Sequence, residues 1–177
     1  MELSVIHSRA LQGLTAPSVR VETHLSNGLP AFNIVGMPET AVRESKDRVR
    51  SAILNSHFEF PDRRITINLA PADLPKGGGR FDLSIALGIL IASGQVPGGR
   101  TTECEFLGEL ALDGSLQPVP GAVCAALAAS ACGRSLVLPQ ACAGKAARVP
   151  DAVVLGASDL LTLCAHINGA APITPVP

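Results

Sequence analysis

A glycine-rich loop that opens onto an apolar helix is the part of this sequence whose residue types suggest chemistry. Residues 75–90 read PKGGGRFDLSIALGIL, in which Lys76 and Arg80 bracket three loop glycines, Gly77, Gly78 and Gly79. Such loops cradle phosphate, frame a nucleophile, or only turn the chain. A Walker loop needs its Lys after the glycines, followed by Ser or Thr, so the order here excludes it. Backbone N–H groups with Lys and Arg are common phosphate contacts in nucleic-acid complexes, which makes Lys76 and Arg80 candidate DNA-binding residues.

Further basic residues lie close to this loop in sequence. Residues 43–80 hold eight Lys or Arg against five Asp or Glu, although the whole chain has a formal net charge of −1. The secondary candidates for DNA contact are Arg43, Lys46, Arg50, Arg63 and Arg64. For the cations of the helix, the alternative is that they only face water, as charges on an amphipathic helix usually do. For Lys76 and Arg80, the alternative is an ion pair within the domain or between subunits.

Composition limits the classes of function. A chain of 177 residues with 47% hydrophobic and 16% charged residues is long enough and apolar enough to bury a core. Only 3% of residues are aromatic, with five Phe and no Trp or Tyr, which supplies base-stacking surfaces poorly. Five Cys without C-x-x-C spacing indicate reduced thiols, and four scattered His predict no metal site. Without a signal peptide or an apolar run of about 20 residues, a cytoplasmic protein with no membrane partner is predicted.

The elements that must position the loop follow from hydrophobic periodicity. The pattern predicts one α/β domain with a mixed sheet and packed helices. Strands are predicted within 3–36 (two or three, antiparallel), 63–74, 135–139 and 153–156, with a hairpin in 104–119. Helices are predicted at 38–56, 81–92, 121–132 and 158–169, the last capped by Ser158. The proline-rich residues 169–177 predict a linker.

Two long segments carry a resemblance to a known family. They read SRALQGLTAPSVRVETHLSNGLPAFNIVGMPETAVRESKDRVRSAILNSHFEFPDRRITINLAPADLPKGGGRFDLSIALGIL and EFLGELALDGSLQPVPGAV. Together they resemble the amino-terminal domain of the ComM/YifB family of magnesium-chelatase-like AAA+ ATPases, over nearly the whole chain. The resemblance implies a Lon-protease-like domain of the ribosomal protein S-five domain-2-like fold in residues 1–168, and a linker in 169–177 towards a motor domain that this chain does not contain.

The same resemblance implies a function and its cofactors. Full-length relatives resemble hexameric DNA helicases that promote branch migration in natural transformation. ATP and Mg²⁺ are then expected only in the motor domain, and no cofactor is expected in this chain.

The resemblance also bears on catalysis. Lon-type proteases present a Ser at the start of a helix and a Lys base on a later helix, and Arg80 and Val123 occupy the matching positions here. Neither residue can act as a nucleophile or its base. Ser84 and Cys124 lie nearby in apolar helices, where packing is expected. We therefore predict no catalytic residue and no peptidase activity.

Two functions of different classes remain. The first is a DNA-binding module of a hexameric ring, acting on duplex or branched DNA through Lys76 and Arg80. The second is an assembly module of the same homo-oligomer, in which the basic residues pair with acidic residues of the next subunit, namely Glu103, Glu105 and Glu109.

Overall fold

The computed structural model describes residues 2–177. Within that range the strands are β1 Leu3–Arg9, β2 Ser18–Ser26, β3 Ala31–Val35, β4 Arg64–Ala70, β5 Cys104–Phe106, β6 Glu109–Leu110, β7 Leu116–Gln117, β8 Ser135–Pro139 and β9 Val154–Ala157. The α-helices are α1 Thr40–Arg43, α2 Ser45–Asn55, α3 Asp82–Ala92, α4 Ala122–Ala131, α5 Gln140–Ala146 and α6 Leu160–Ile167, and a short 3-10 helix spans Thr101–Glu103.

A seven-stranded sheet forms the frame, in the order β3-β4-β2-β1-β5-β8-β9. β2 is antiparallel to both β1 and β4, and the other neighbouring pairs are parallel. β6 and β7 form the predicted hairpin beside this sheet. The mixed α/β class is confirmed. The expectation that β3 is antiparallel is wrong, because α1 and α2 carry the chain across between β3 and β4 and so allow a parallel pair.

Helix α3 lies at the centre of the domain. It packs against β1, β2 and α2, and every residue from Asp82 to Leu90 is buried. This explains why its sequence is apolar on all sides. The helix predicted at 38–56 is divided into α1 and α2 at Glu44, and its apolar stripe is buried as expected: Val42, Val49, Ala52 and Ile53.

A second, smaller apolar cluster packs α4 and α5 against β8. Helix α5 was not predicted, since its short alanine-rich sequence lacks clear periodicity. Helix α6 begins after Asp159, whose carboxylate accepts a hydrogen bond from the Thr162 N–H at 2.7 Å. The prediction that Ser158 caps this helix is therefore wrong by one residue.

Residues 169–177 form no helix or strand, yet they lie along the domain. The Ile173 N–H donates to Nδ1 of His166 at 2.8 Å, and the Val176 N–H donates to the Val154 carbonyl at 2.9 Å. Ile173 also packs on the main core. The segment predicted as a linker is thus attached to α6 and β9 in this structure.

Candidate nucleic-acid interface

Lys76 lies inside the domain. Its side chain is 0% exposed, and its Nζ donates to the Gly36 carbonyl at 2.6 Å and to the Pro71 carbonyl. Burial lowers the pKa of Lys76, and the carboxylate of Asp73 acts in the opposite direction. An ammonium enclosed in this way is not accessible to a phosphate, so the expectation of an exposed cation at Lys76 is corrected.

Arg80 is buried as well, with 4% of its surface exposed. Its Nε donates to the Arg9 carbonyl and its Nη1 to the Pro120 carbonyl, both at 2.9 Å. Burial lowers the pKa of Arg80. The guanidinium therefore joins the end of β1 to the start of α4, and the expectation that it faces DNA is corrected in the same way. Within residues 2–177 neither Lys76 nor Arg80 forms an ion pair with a carboxylate.

The glycines between these cations pass close to two carboxylates. Gly78 has φ +74°, a conformation that favours glycine, and a Cβ added at Gly77 would lie 2.6 Å from Oε2 of Glu39. A Cβ added at Gly79 would lie closer still to Oε1 of Glu109. The loop therefore turns the chain tightly between two acidic side chains, an arrangement that disfavours a bound anion.

A buried carboxylate anchors the start of α3. Asp82 is 0% exposed and accepts from Ser45 Oγ at 2.5 Å, Arg48 Nε at 2.7 Å and the Leu110 N–H at 3.0 Å. This pairing raises the pKa of Arg48; for Asp82, burial acts to raise the pKa and the three donors act to lower it. The missed signal is an aspartate at the start of an otherwise apolar helix.

A second buried carboxylate lies at the other side of the sheet. Glu105 is 0% exposed and accepts from Arg9 Nε at 2.6 Å and Arg134 Nη1 at 3.2 Å. Its charge is balanced inside the domain. The expectation that Glu105 pairs with a neighbouring subunit is therefore corrected, whereas Glu103 is exposed and Glu109 half-buried.

The remaining predicted cations lie at the surface. Arg43, Arg50 and Arg64 are exposed, and Lys46 and Arg63 are half-buried. Among residues 2–177 only Arg63 of this group has an ion pair, with Glu2. Arg43, Lys46 and Arg50 are spaced three and four positions apart along α1 and α2. They lie on one side, because Glu44 keeps helical torsions between the two helices.

Burial changes the charge balance read from the sequence. Three of the eight basic residues in 43–80 are unavailable at the surface, because Lys76 and Arg80 are buried and Arg48 pairs with Asp82. The five carboxylates of the same stretch are all exposed. The excess of positive charge that residues 43–80 have in the sequence is therefore absent from the surface. Binding of an anion then depends on where the five remaining cations lie.

Two of those cations lie at one groove. Arg50 and Arg63 line a groove of about 330 Å³ together with Phe32 and Phe60. Arg64 follows Arg63 at the start of β4, where it is paired in register with Ala31, and it does not line the groove. Arg50 of α2 and Arg63 therefore lie together at the β3 edge of the sheet, with Arg64 next along the chain.

The groove also gathers two of the chain's five phenylalanines. The ring centroids of Phe32 and Phe60 lie 5.7 Å apart with a tilt of 33°, and Arg50 Cζ lies 5.0 Å from the Phe60 centroid. Composition predicted a poor supply of aromatic surface. The fold concentrates part of that supply beside arginines, which composition could not show.

Arg80 and Val123 are the positions that the resemblance aligns with the Ser and Lys of Lon-type proteases. Arg80 is fixed by backbone carbonyls, and Val123 is 44% exposed. Ser84 is fully buried and its Oγ donates to the Phe106 carbonyl at 3.1 Å, which confirms its predicted packing. Cys124 is half-buried.

Two kinds of feature are absent from residues 2–177. No group of three or more His, Cys, Asp or Glu side chains is placed to hold a metal ion. None of the helices in that range has the length and apolar character needed to cross a bilayer.

Comparison with known proteins identifies the family to which this α/β domain belongs. The family described as subunit ChlI of Mg-chelatase matches residues 21–142, and the chain is a member of it. The competence protein ComM of Haemophilus influenzae is 49% identical over 169 residues, covering 96% of this chain and 33% of that protein. The uncharacterized protein YifB of Escherichia coli is 47% identical with the same coverage. The resemblance predicted from the sequence is confirmed, and the chain spans about a third of the length of these relatives.

Proposed function

We propose that this domain is a non-catalytic DNA-binding module of a longer ATPase that acts in competence and recombination. The observation that carries the proposal is the meeting of Arg50 and Arg63 at one groove, with exposed Arg64 next along the chain at the start of β4. Arg43 and Lys46 extend this group along α1 and α2. We refer to these five residues as the β3-edge cations. Lys76 and Arg80 have a different role in this proposal, since they hold the glycine loop in place.

The longer protein would place this Lon-like domain before a hexameric AAA+ motor that binds ATP and Mg²⁺ in the cytoplasm. The motor would supply the work of branch migration, and the β3-edge cations would hold duplex or branched DNA by its phosphates. Each phosphate neutralised contributes a slope of roughly −0.9 to the dependence of log affinity on log salt. Five cations therefore set an upper limit of about −4.5 for one copy of the domain.

Fluorescence anisotropy of a labelled duplex and a labelled four-way junction tests the proposal at ~50 and ~200 mM salt, a range over which phosphate contacts weaken steeply. Arg50→Ala/Arg64→Ala should weaken binding to both DNAs and reduce the salt slope by about two. Arg148 is the matched control, because it is exposed and follows α5, which packs on β9 at the opposite edge of the sheet. Equal binding by the double variant and the wild type, or an equal loss in Arg148→Ala, would refute the assignment.

A second candidate function is assembly of the ring, and helix α4 supports it. This helix carries no charged residue, and it exposes Val123 and Leu127, which lie four positions apart and are 44% and 55% exposed. Apolar side chains grouped on a surface are typical of subunit contacts. Concentration-dependent oligomers without DNA, lost in Leu127→Ser, would support assembly. A monomer at all concentrations would count against it for this chain.

A further inference from the structure

The groove at the β3 edge combines features that phosphate binding alone does not require. From this combination we infer that it holds one unpaired nucleotide of single-stranded DNA, with the base against the Phe32–Phe60 pair and the flanking phosphates on Arg50 and Arg63. The inference rests on the proposed function and adds to it the class of DNA that the site accepts.

The size and walls of the groove suit one nucleotide. Its volume of about 330 Å³ lies at the lower end of the roughly 300–1,000 Å³ typical of small-molecule sites. Pro30 and Pro61 add apolar surface beside the two rings. A base can therefore bury its faces here, whereas duplex DNA cannot enter, because its bases are already stacked and paired.

The aromatic pair is both fixed and accessible. Phe32 and Phe60 are half-buried and pack on the main core, so their rings are held in place while part of each faces the groove. Arg50 stacks on Phe60 with its Cζ 5.0 Å from the centroid. Arginine planes and phenylalanine rings are the surfaces on which proteins stack unpaired bases, with little regard to sequence.

The charges around the groove match a phosphate backbone. Arg50 and Arg63 line it, and Asp62 is the carboxylate among its lining residues. Arg63 is at present bound to Glu2 and donates to Asn27 Oδ1 at 3.2 Å. A phosphate would replace Glu2, which is 48% exposed and so returns to water at little cost.

The test compares three labelled ligands of equal length with the intact chain: oligo-dT, an abasic oligomer with the same phosphates, and a duplex. We expect oligo-dT to bind roughly tenfold more tightly than the abasic oligomer. Phe60→Leu keeps an apolar side chain but removes the ring, and it should abolish this difference without changing affinity for the abasic oligomer or the duplex. Phe32→Leu should act in the same direction.

Phe58→Leu is the control, because Phe58 is a half-buried phenylalanine on the same segment that packs on the core and does not line the groove. Equal affinity for oligo-dT and the abasic oligomer would overturn the inference and leave the proposed function standing. An equal effect of Phe58→Leu and Phe60→Leu would also overturn it. Absence of binding to all three ligands would overturn both the inference and the proposed function.

Discussion

The carboxylate of Asp82 is predicted to be the most sensitive single group for the stability of this domain. Asp82→Ala removes the acceptor of hydrogen bonds from Ser45, Arg48 and Leu110, all of which converge on a side chain that is 0% exposed. The variant leaves a hydroxyl, a guanidinium and a backbone N–H without their partner. We therefore expect a large loss of folding free energy.

The magnitude follows from the burial of each partner. Breaking a buried ion pair by removing one member costs roughly 3–5 kcal/mol. The side chain of Arg48 is 21% exposed, so water can recover part of its lost hydrogen bonding, which favours the lower end of that range. A loss of about 3 kcal/mol in a domain of this size lowers the melting temperature by roughly 6–12 °C.

Urea denaturation and thermal melting followed by circular dichroism measure this loss. Asp47→Ala is the matched control, because Asp47 is exposed on α2 and such surface changes stay within about 0.5 kcal/mol. The double variant Arg48→Met/Asp82→Leu should recover part of the stability, since it removes both charges together. A loss below about 1 kcal/mol in Asp82→Ala would show that the network does not hold α3 as described.

Three further predictions concern buried or attached groups. Glu105→Gln should destabilise the domain by roughly 3 kcal/mol, because two arginines then share a neutral partner in the interior. Burial lowers the pKa of His166 from 6.5, and its Nδ1 accepts from Ile173, so acid should release residues 171–177 as measured by amide hydrogen exchange. Burial raises the pKa of Cys164 to about 12, so a thiol reagent at pH 8 should label exposed Cys132 and leave Cys164 unmodified until the chain unfolds.

The sign of the histidine prediction can be worked out directly. A lowered pKa in the folded state means that the fold favours the neutral ring, so this contribution is present above pH 6.5 and is lost as the pH falls towards the folded value. His166→Asn offers an acceptor that does not titrate, and should keep the tail attached in acid. Release in both proteins at the same pH would contradict the assignment.

The other two predictions have their own contrary results. These are an unchanged melting temperature in Glu105→Gln and rapid labelling of Cys164 in the native protein.

Hydrophobic periodicity predicted much of the fold because the segments are long or strongly patterned. The α3 helix begins within one residue of its predicted position, the β4 strand begins within one residue and ends four residues early, and the stripe of α2 faces the core as expected. The parallel pairing of β3 with β4 was missed because periodicity shows which residues face the core but not which strand lies alongside. Helix α5 was missed because seven residues are too few to show a period.

The site was harder to predict because a sequence does not show whether a charged residue is buried or exposed. Lys76 and Arg80 flank glycines in a pattern that also fits phosphate binding, yet backbone carbonyls bind both of them inside the domain. Arg50 and Phe60 are ten positions apart, and their side chains come together only because the chain turns after α2. Phe32 comes from β3, so the groove depends on tertiary contacts that no local pattern contains.

The sequence predicted that the glycine loop contacts DNA phosphates. In the structure the loop holds elements of the domain together, and the proposed DNA contacts lie at the groove on the β3 edge. At the end of the loop, Arg80 joins β1 to the segment before α4, and Asp82, the first residue of α3, joins that helix to α2 and β6. Helix α2 in turn carries Arg50 into the groove. The fully buried carboxylate of Asp82, two residues after the loop ends at Arg80, binds α2 to the start of α3. The position of Arg50 in the groove therefore depends on this end of the loop, although no loop residue lines the groove. Weakening the Asp82 network should then reduce binding at the groove together with stability, whereas Arg50→Ala should reduce binding alone.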